Sequence, residues 1–269
     1  MQLNNEHVLV QKTARQFAEK RLTPNAERWD RESHFPRDVI EEMGEVGLMG
    51  ILVPEIYGGA DADFISYALA LSEISGGDGG ISVTMAVQAV AETCILSYGN
   101  DRQKSEFLPK LARAEILAAF MLTEPHTGSD AGAIRCSAKK IGNQYVLNGT
   151  KQFITSGANA DIAVAFAVTD PDKGSRGISA FIVPTETPGY RVSRIEHKLG
   201  LKSNDTAQIV LEDVKVAPEL LLGEEGEGYK IALSNLEGGR IGVAAQAVGF
   251  ARAAFRAAKT YASERKSFG

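Results

Sequence analysis

The hydrophobic period changes twice along this chain, and few folds allow that. Up to about residue 112, apolar residues recur at helical spacing: Val10, Ala14, Phe17 and Ala18 share one face, with Arg21 at its border. From about 115 to 217 the helical pattern is replaced by short runs rich in β-branched and aromatic residues, among them ILAAFML, AKKI, QYVLNG, KQFIT, DIAVAFAVT, ISAFIVP, YRVSRIE and AQIVLEDVKV. Gly, Pro, Asp and Ser clusters separate these runs. Helical spacing returns with Ile231, Leu233 and Leu236. Helical and β periods bury different faces, so the reading is an α+β multidomain chain. It predicts an all-α N-terminal domain over 1–113, a middle β domain of seven or eight strands over 114–222, and the first helices of a C-terminal helical domain over 223–269. A helix with a wide apolar face needs partners to bury it, so that last segment reads as an incomplete bundle.

Local punctuation sharpens the pattern. Asn5-Glu6 opens a first helix, and Phe35-Pro36 starts another with Val39, Met43 and Val46 as its stripe and Gly47 as its stop. LVPEIYGGAD is a loop, a third helix spans about 62–74, and Gly76-Gly77 with Gly79-Gly80 predict a break before a fourth at about 81–98. A fifth carries Phe107, Leu108 and Leu111, with Pro109 expected to kink or shorten it. Gly142-Asn143 predicts a hairpin. Gly238-Gly239 predicts a break before a long alanine-rich helix at about 240–263.

Composition excludes several classes. With 44% hydrophobic and 23% charged residues, the chain is globular in type. A net charge of −5 and no Lys/Arg run argue against nucleic acid. No apolar stretch reads as a membrane span, the longest candidate being 116–122, and no signal or transit segment is read at the N-terminus. Cys94 and Cys136 lack metal or redox spacing and are expected as two buried thiols. His7, His34, His126 and His197 are scattered, so no metal site is expected.

FMLTEPHTGSDAG at 120–132 is the most suggestive stretch. Glycine lets a ligand approach the backbone, and Gly128 with Ser129 suits a phosphate or pyrophosphate. An ordinary strand-to-turn connection, with Asp130 as a cap, has the same composition. The other motifs decide between the two. TEPxxGSD at 123–130, QFITSG at 152–157, KLGLKSNDTAQIVLEDVKV at 198–216, NLEGGRIGVAAQAVG at 235–249 and YASERKSFG at 261–269 follow VPEIYGG at 53–59. In that order and spacing, from about residue 6 onward, they resemble the acyl-CoA dehydrogenase family, with wording closest to its short-chain and short-branched-chain members.

The resemblance implies a helical domain, a β-barrel-like middle domain and a C-terminal four-helix domain. It implies FAD, an acyl-CoA substrate, electron-transfer flavoprotein as acceptor and a homo-oligomer, tetramer or dimer, in a bacterial cytoplasm or mitochondrial matrix. Phe120, Leu122, Thr123, Gly128 and Ser129 would line the flavin and pyrophosphate, with Ser129 also touching the acyl-CoA. Leu122 and Thr123 would offer backbone groups, and Thr123 its hydroxyl. Phe153, Ile154 and Thr155 would pack a ring on the flavin and place a hydroxyl near N5; read without the family, this is an alternating strand with Phe153 inward. Arg265, Ser267 and Phe268 would reach the FAD of a neighbouring subunit. Glu237, Gly238, Gly239 and Arg240 would lie along the acyl-CoA. Glu124 and Asp130 are expected to hold the loop, and His126 to be exposed and no base. Most of the family carries its catalytic carboxylate late in the C-terminal domain. A minority places a glutamate just before the arginine, where this chain has Gly239. The base is therefore expected beyond Gly269, leaving these residues alone inactive or nearly so. The other readings are a non-catalytic flavin- or CoA-binding or assembly module, and an acyl-CoA oxidase relative.

Overall fold

A computed structural model describes residues 2–268; Met1 and Gly269, which bound the first and last expected segments, lie outside the described residues. The N-terminal third is helical: α1 (Asn5–Phe17), α2 (Ala26–Glu32), α3 (Arg37–Glu45), α4 (Phe64–Gly77), α5 (Gly79–Tyr98) and α6 (Asp101–Ala112). α1 starts with a capping box in which the Asn4 side chain accepts the His7 N–H at 2.8 Å and the Asn4 N–H is donated to His7 Nδ1 at 3.2 Å. Val39 and Met43 of α3 are buried as expected, but Val46, at its end, is exposed. Pro109 lies in the last turn of α6, and the helix stops within a turn of it.

The expected double break between α4 and α5 shrinks to one residue. Only Asp78 leaves the helical path, and its carboxylate accepts the Ile81 N–H at 2.8 Å to cap α5. The flanking glycines stay helical and serve close packing. A Cβ on Gly77 would lie 2.9 Å from that of Ala18, and one on Gly80 would lie 2.1 Å from Ser203 Oγ. α5 also corrects the reading of apolar stretches. It is 20 residues long with a mean hydropathy of 1.4 over an 18-residue window, enough in length and composition to cross a membrane, yet 67% of that window is buried within the fold. It is the central core helix, packed on α4, α6 and the sheet.

The middle third is one sheet: β1 (Ala118–Met121), β2 (Ser137–Ile141), β3 (Gln144–Thr155), β4 (Ile162–Val168), β5 (Ile178–Pro184), β6 (Tyr190–Ile195), β7 (Thr206–Val216) and β8 (Leu221–Leu222). Its order is β6-β7-β3-β2-β4-β5-β8, with β1 parallel to β4. The β2–β3 hairpin turns at Gly142, whose φ is +59°. QYVLNG and KQFIT, read as two strands, are one, because β3 runs through two bulges without losing β7.

α7 (Gly228–Glu264) is a single 37-residue helix, so the break expected at Gly238-Gly239 does not occur. A Cβ on Gly238 would lie 3.0 Å from the Phe64 ring, and one on Gly249 would lie 1.9 Å from Ser75 Oγ. Glycine here lets α7 lie against α4. Polar bonds tie α7 to both neighbours: Gln246 Nε2 donates to Ser82 Oγ of α5 at 2.9 Å and Arg252 to the buried Glu73 of α4 at 2.8 Å.

Candidate active site

β1 ends at Met121 and the chain doubles back. Paired bonds between Glu124 and Thr127, at 2.9 and 3.1 Å, close the turn, leaving Pro125 and His126 at its exposed tip. Thr127 Oγ1 donates to the Asp130 carbonyl, and Gly128 and Ser129 are left exposed between them. A Cβ on Gly128 would meet only Thr123 Cγ2, at 3.9 Å, so this backbone is open to a ligand.

Below the turn, Glu124 is buried and points back into the fold. Its carboxylate accepts the N–H groups of Arg135 (2.7 Å) and Cys136 (2.9 Å) and the ammonium of Lys151 (2.8 Å). Lys151 is fully buried and also donates to the Leu122 carbonyl at 3.1 Å. The neighbouring Gln152 N–H donates to the Thr123 carbonyl at 2.9 Å. A charge so deeply buried persists only when it is paired and hydrogen-bonded, and this pair meets both conditions. The same burial pushes the nearby Cys136 thiol up to about 11, with Lys151 pulling it down and Glu124 pushing it up. Both cysteines are free and buried.

The sequence reading reached Glu124 as a structural acid but missed Lys151. The available signal was a lysine inside an apolar strand run. Asp130 takes part in the loop's hydrogen bonds through its carbonyl, which accepts from Thr127 Oγ1 and the Ala133 N–H, while among the described residues its carboxylate makes no cap bond. His126 is exposed, its Nε2 3.0 Å from the Ala133 carbonyl oxygen.

Beyond Lys151, β3 bulges. Phe153 takes a φ of +57°, a costly conformation for an aromatic residue, and the residue is 62% exposed. The bulge reverses simple alternation: Ile154 points into the core, and Phe153 does not. Ile154 is therefore a core side chain with only its backbone to offer a ligand. Leu122 is a core side chain too, and Phe120 is half-buried against the same core, its ring tilted at 58° to that of Phe166 with centroids 5.0 Å apart. Thr155 is half-buried at the strand end.

The Gly132 side of the turn faces Tyr229 near the start of α7. Farther along α7, Gly238 and Gly239 line a largely apolar cleft of about 340 Å³, closed by Phe64 and Tyr67 of α4 and by Val90 and Thr93 of α5. Among the described residues, no carboxylate lines it. Glu237 and Arg240, on the same helix, are exposed. Arg265, Ser267 and Phe268 lie past the far end of α7, which is roughly 55 Å long at 1.5 Å per residue. The fold does not bring them to the 122–130 turn of the same chain.

Family models match most of the chain. The acyl-CoA dehydrogenase N-terminal domain model matches residues 4–115, the middle domain model 119–214 and the C-terminal domain model 226–269. An acyl-CoA dehydrogenase of Bacillus subtilis (strain 168) is 48% identical over 270 residues, covering 100% of this chain and 71% of that protein. The chain belongs to the acyl-CoA dehydrogenase family. A short-chain specific acyl-CoA dehydrogenase of Clostridium acetobutylicum is 42% identical, covering 99% of this chain and 71% of that protein. Three solved structures share the fold. The butyryl-CoA dehydrogenase of Megasphaera elsdenii has a TM-score of 0.96 at 40% identity, over 100% of this chain and 72% of that one. A chain from work on the electron transferring flavoprotein of Acidaminococcus fermentans and flavin-based electron bifurcation has a TM-score of 0.98 at 44% identity, over 100% of this chain and 71% of that one. A glutaryl-CoA dehydrogenase of Mycobacterium smegmatis in complex with FADH2 has a TM-score of 0.92 at 35% identity, over 99% of this chain and 67% of that one. The acyl-CoA dehydrogenase family member described here thus spans about 71% of the first two relatives.

Proposed function

We propose that this chain forms the FAD site and the acyl cleft of an acyl-CoA dehydrogenase, which converts an acyl-CoA thioester to a trans-2-enoyl-CoA. One observation carries the reading. Phe153 holds an exposed aromatic ring at a strained φ, on a strand bonded to the open Gly128-Ser129 turn. An exposed ring and a bare backbone beside it fit a flat heterocycle with a pyrophosphate tail. Thr123, Phe153 and Thr155 would hold the ring system, and Gly128 and Ser129 the pyrophosphate. When bound, FAD supplies the acceptor for the hydride that leaves the substrate β-carbon.

The chain's own part is to bind, orient and exclude water. The apolar cleft between α4, α5 and α7 takes the acyl chain, and Gly238 and Gly239 let the thioester approach the helix. The relatives described as short-chain specific and as a butyryl-CoA dehydrogenase support a short or short-branched acyl group. Electron-transfer flavoprotein is the proposed acceptor, supported by the Acidaminococcus likeness. Arg265, Ser267 and Phe268, remote from their own chain's turn, are proposed to act on the FAD of a neighbouring copy in a homo-oligomer. Since no carboxylate lines the cleft, these 269 residues alone are proposed to abstract the α-proton slowly or not at all.

Flavin titration followed by anaerobic addition of butyryl-CoA tests this. FAD is expected to bind with the absorption bands of a protein-bound oxidised flavin, and butyryl-CoA to perturb those bands with little bleaching. No FAD binding at about 100 μM would end the reading.

A further inference from the structure

The 122–130 turn and β3 are joined by a lysine whose hydrogen bonds all go to that turn. Lys151 donates to the Leu122 carbonyl and to Glu124, and Glu124 is held in place by two backbone N–H groups. Gln152 takes the next carbonyl, that of Thr123. Both oxygens therefore face β3. Among the described residues, the Thr123 N–H has no acceptor within the fold. That N–H and the Leu122 carbonyl belong to one peptide group. An ammonium on the oxygen draws charge through the amide and makes its N–H a stronger donor.

We infer that Lys151, anchored by Glu124, is a positioning residue of the flavin site: it sets the Leu122–Thr123 peptide with its carbonyl inward and a polarised N–H outward, toward the ring edge of FAD. This rests on the FAD reading above. The ion pair is neutral overall, so its effect is local polarisation and geometry, not attraction of the phosphates. It also removes the Leu122 and Thr123 carbonyls from the groups available to the flavin, which narrows the expectation that both residues offer backbone groups to it. A purely structural tie would be replaceable by any neutral pair that fills the same space; a polarising one would not.

The test is the double variant Lys151→Met/Glu124→Gln, which strands no charge in the core. It is expected to keep the far-ultraviolet circular dichroism of the parent, to bind FAD about tenfold more weakly or worse, and to shift the visible flavin bands. Its flavin midpoint potential is expected to move negative, because the reduced ring's charge loses a strong donor. Unchanged affinity, bands and potential would overturn the inference while leaving the FAD reading intact. If the variant does not fold, the parent protein decides. Its Thr123 amide proton resonance is expected to move downfield on FAD addition, and a Thr123 resonance that stays put overturns the role. A parent that binds no FAD overturns both.

Discussion

Glu92 shows what one buried carboxyl does to the whole chain. It lies on α5, and among the described residues its Oε2 and the buried Tyr67 hydroxyl have no hydrogen-bond partner. Burial holds the Glu92 carboxyl well above the usual carboxylate range, and the Gln88 hydrogen bond that opposes it is long at 3.5 Å. The folded chain therefore keeps a proton that the unfolded chain releases near pH 4.5. The stability linked to that proton is fully present below this pH and is lost progressively as pH rises toward the folded value. Glu92→Gln is expected to stabilise the protein in urea unfolding by roughly 1–3 kcal/mol at pH 8, with a smaller gain at pH 5. An equal gain at both values would contradict the assignment. Gly239 offers a second single-residue test. A Cβ there would lie 3.4 Å from Val90 Cγ2, an ordinary contact at the edge of the cleft. Gly239→Glu is expected to raise exchange of the α-proton of bound butyryl-CoA with deuterated water by about a hundredfold, the scale of general-base catalysis. No gain, with butyryl-CoA still bound, would mean that the thioester lies elsewhere.

At the scale of elements, two glycine pairs that read locally as breaks lie inside α4 and α7. Taken locally, Gly76-Gly77 and Gly238-Gly239 are breakers. In the fold all four are helical; Gly77 and Gly238 permit the close approach of Ala18 and of the Phe64 ring, whereas Gly76 and Gly239 have room for a Cβ. The two sides of the α4–α7 seam should respond oppositely. A Cβ on Gly249 would meet Ser75 Oγ at 1.9 Å and the Ser72 carbonyl oxygen at 2.3 Å, whereas one on Gly76 would meet only the Gly249 carbonyl oxygen at 3.6 Å and the Ala253 Cβ at 4.0 Å. Gly249→Ala is expected to cost about 1–3 kcal/mol, and Gly76→Ala to stabilise by about 0.5–1 kcal/mol through helix propensity. Thermal melts of the two variants compare these directly, and melting shifts of the same sign would refute the packing account. β3 carries the same lesson. Its bulge, which places Phe153 outward and Ile154 inward, depends on pairing with β7 and is not visible in the alternation of its own residues.

At the scale of the molecule, α7 buries one face against α4 and α5 and leaves Val243, Val248, Phe255 and Tyr261 exposed. This apolar surface is expected to bind a hydrophobic dye and to drive self-association of the 269-residue chain in size-exclusion chromatography. A monomer without dye binding would show that these side chains are dispersed rather than a patch. The α–β–α order, the hairpin at Gly142, the helical core and the family were all legible in the sequence. Each rests on periodicity, turn chemistry or a motif, which are properties of neighbouring residues. The pairing of Glu124 with Lys151, the outward turn of Phe153, the continuity of α7 and the cleft between three helices were decided only by the tertiary structure. In each of these, residues distant in sequence must meet, and whether a lysine is buried or a glycine breaks a helix depends on the surface packed against it.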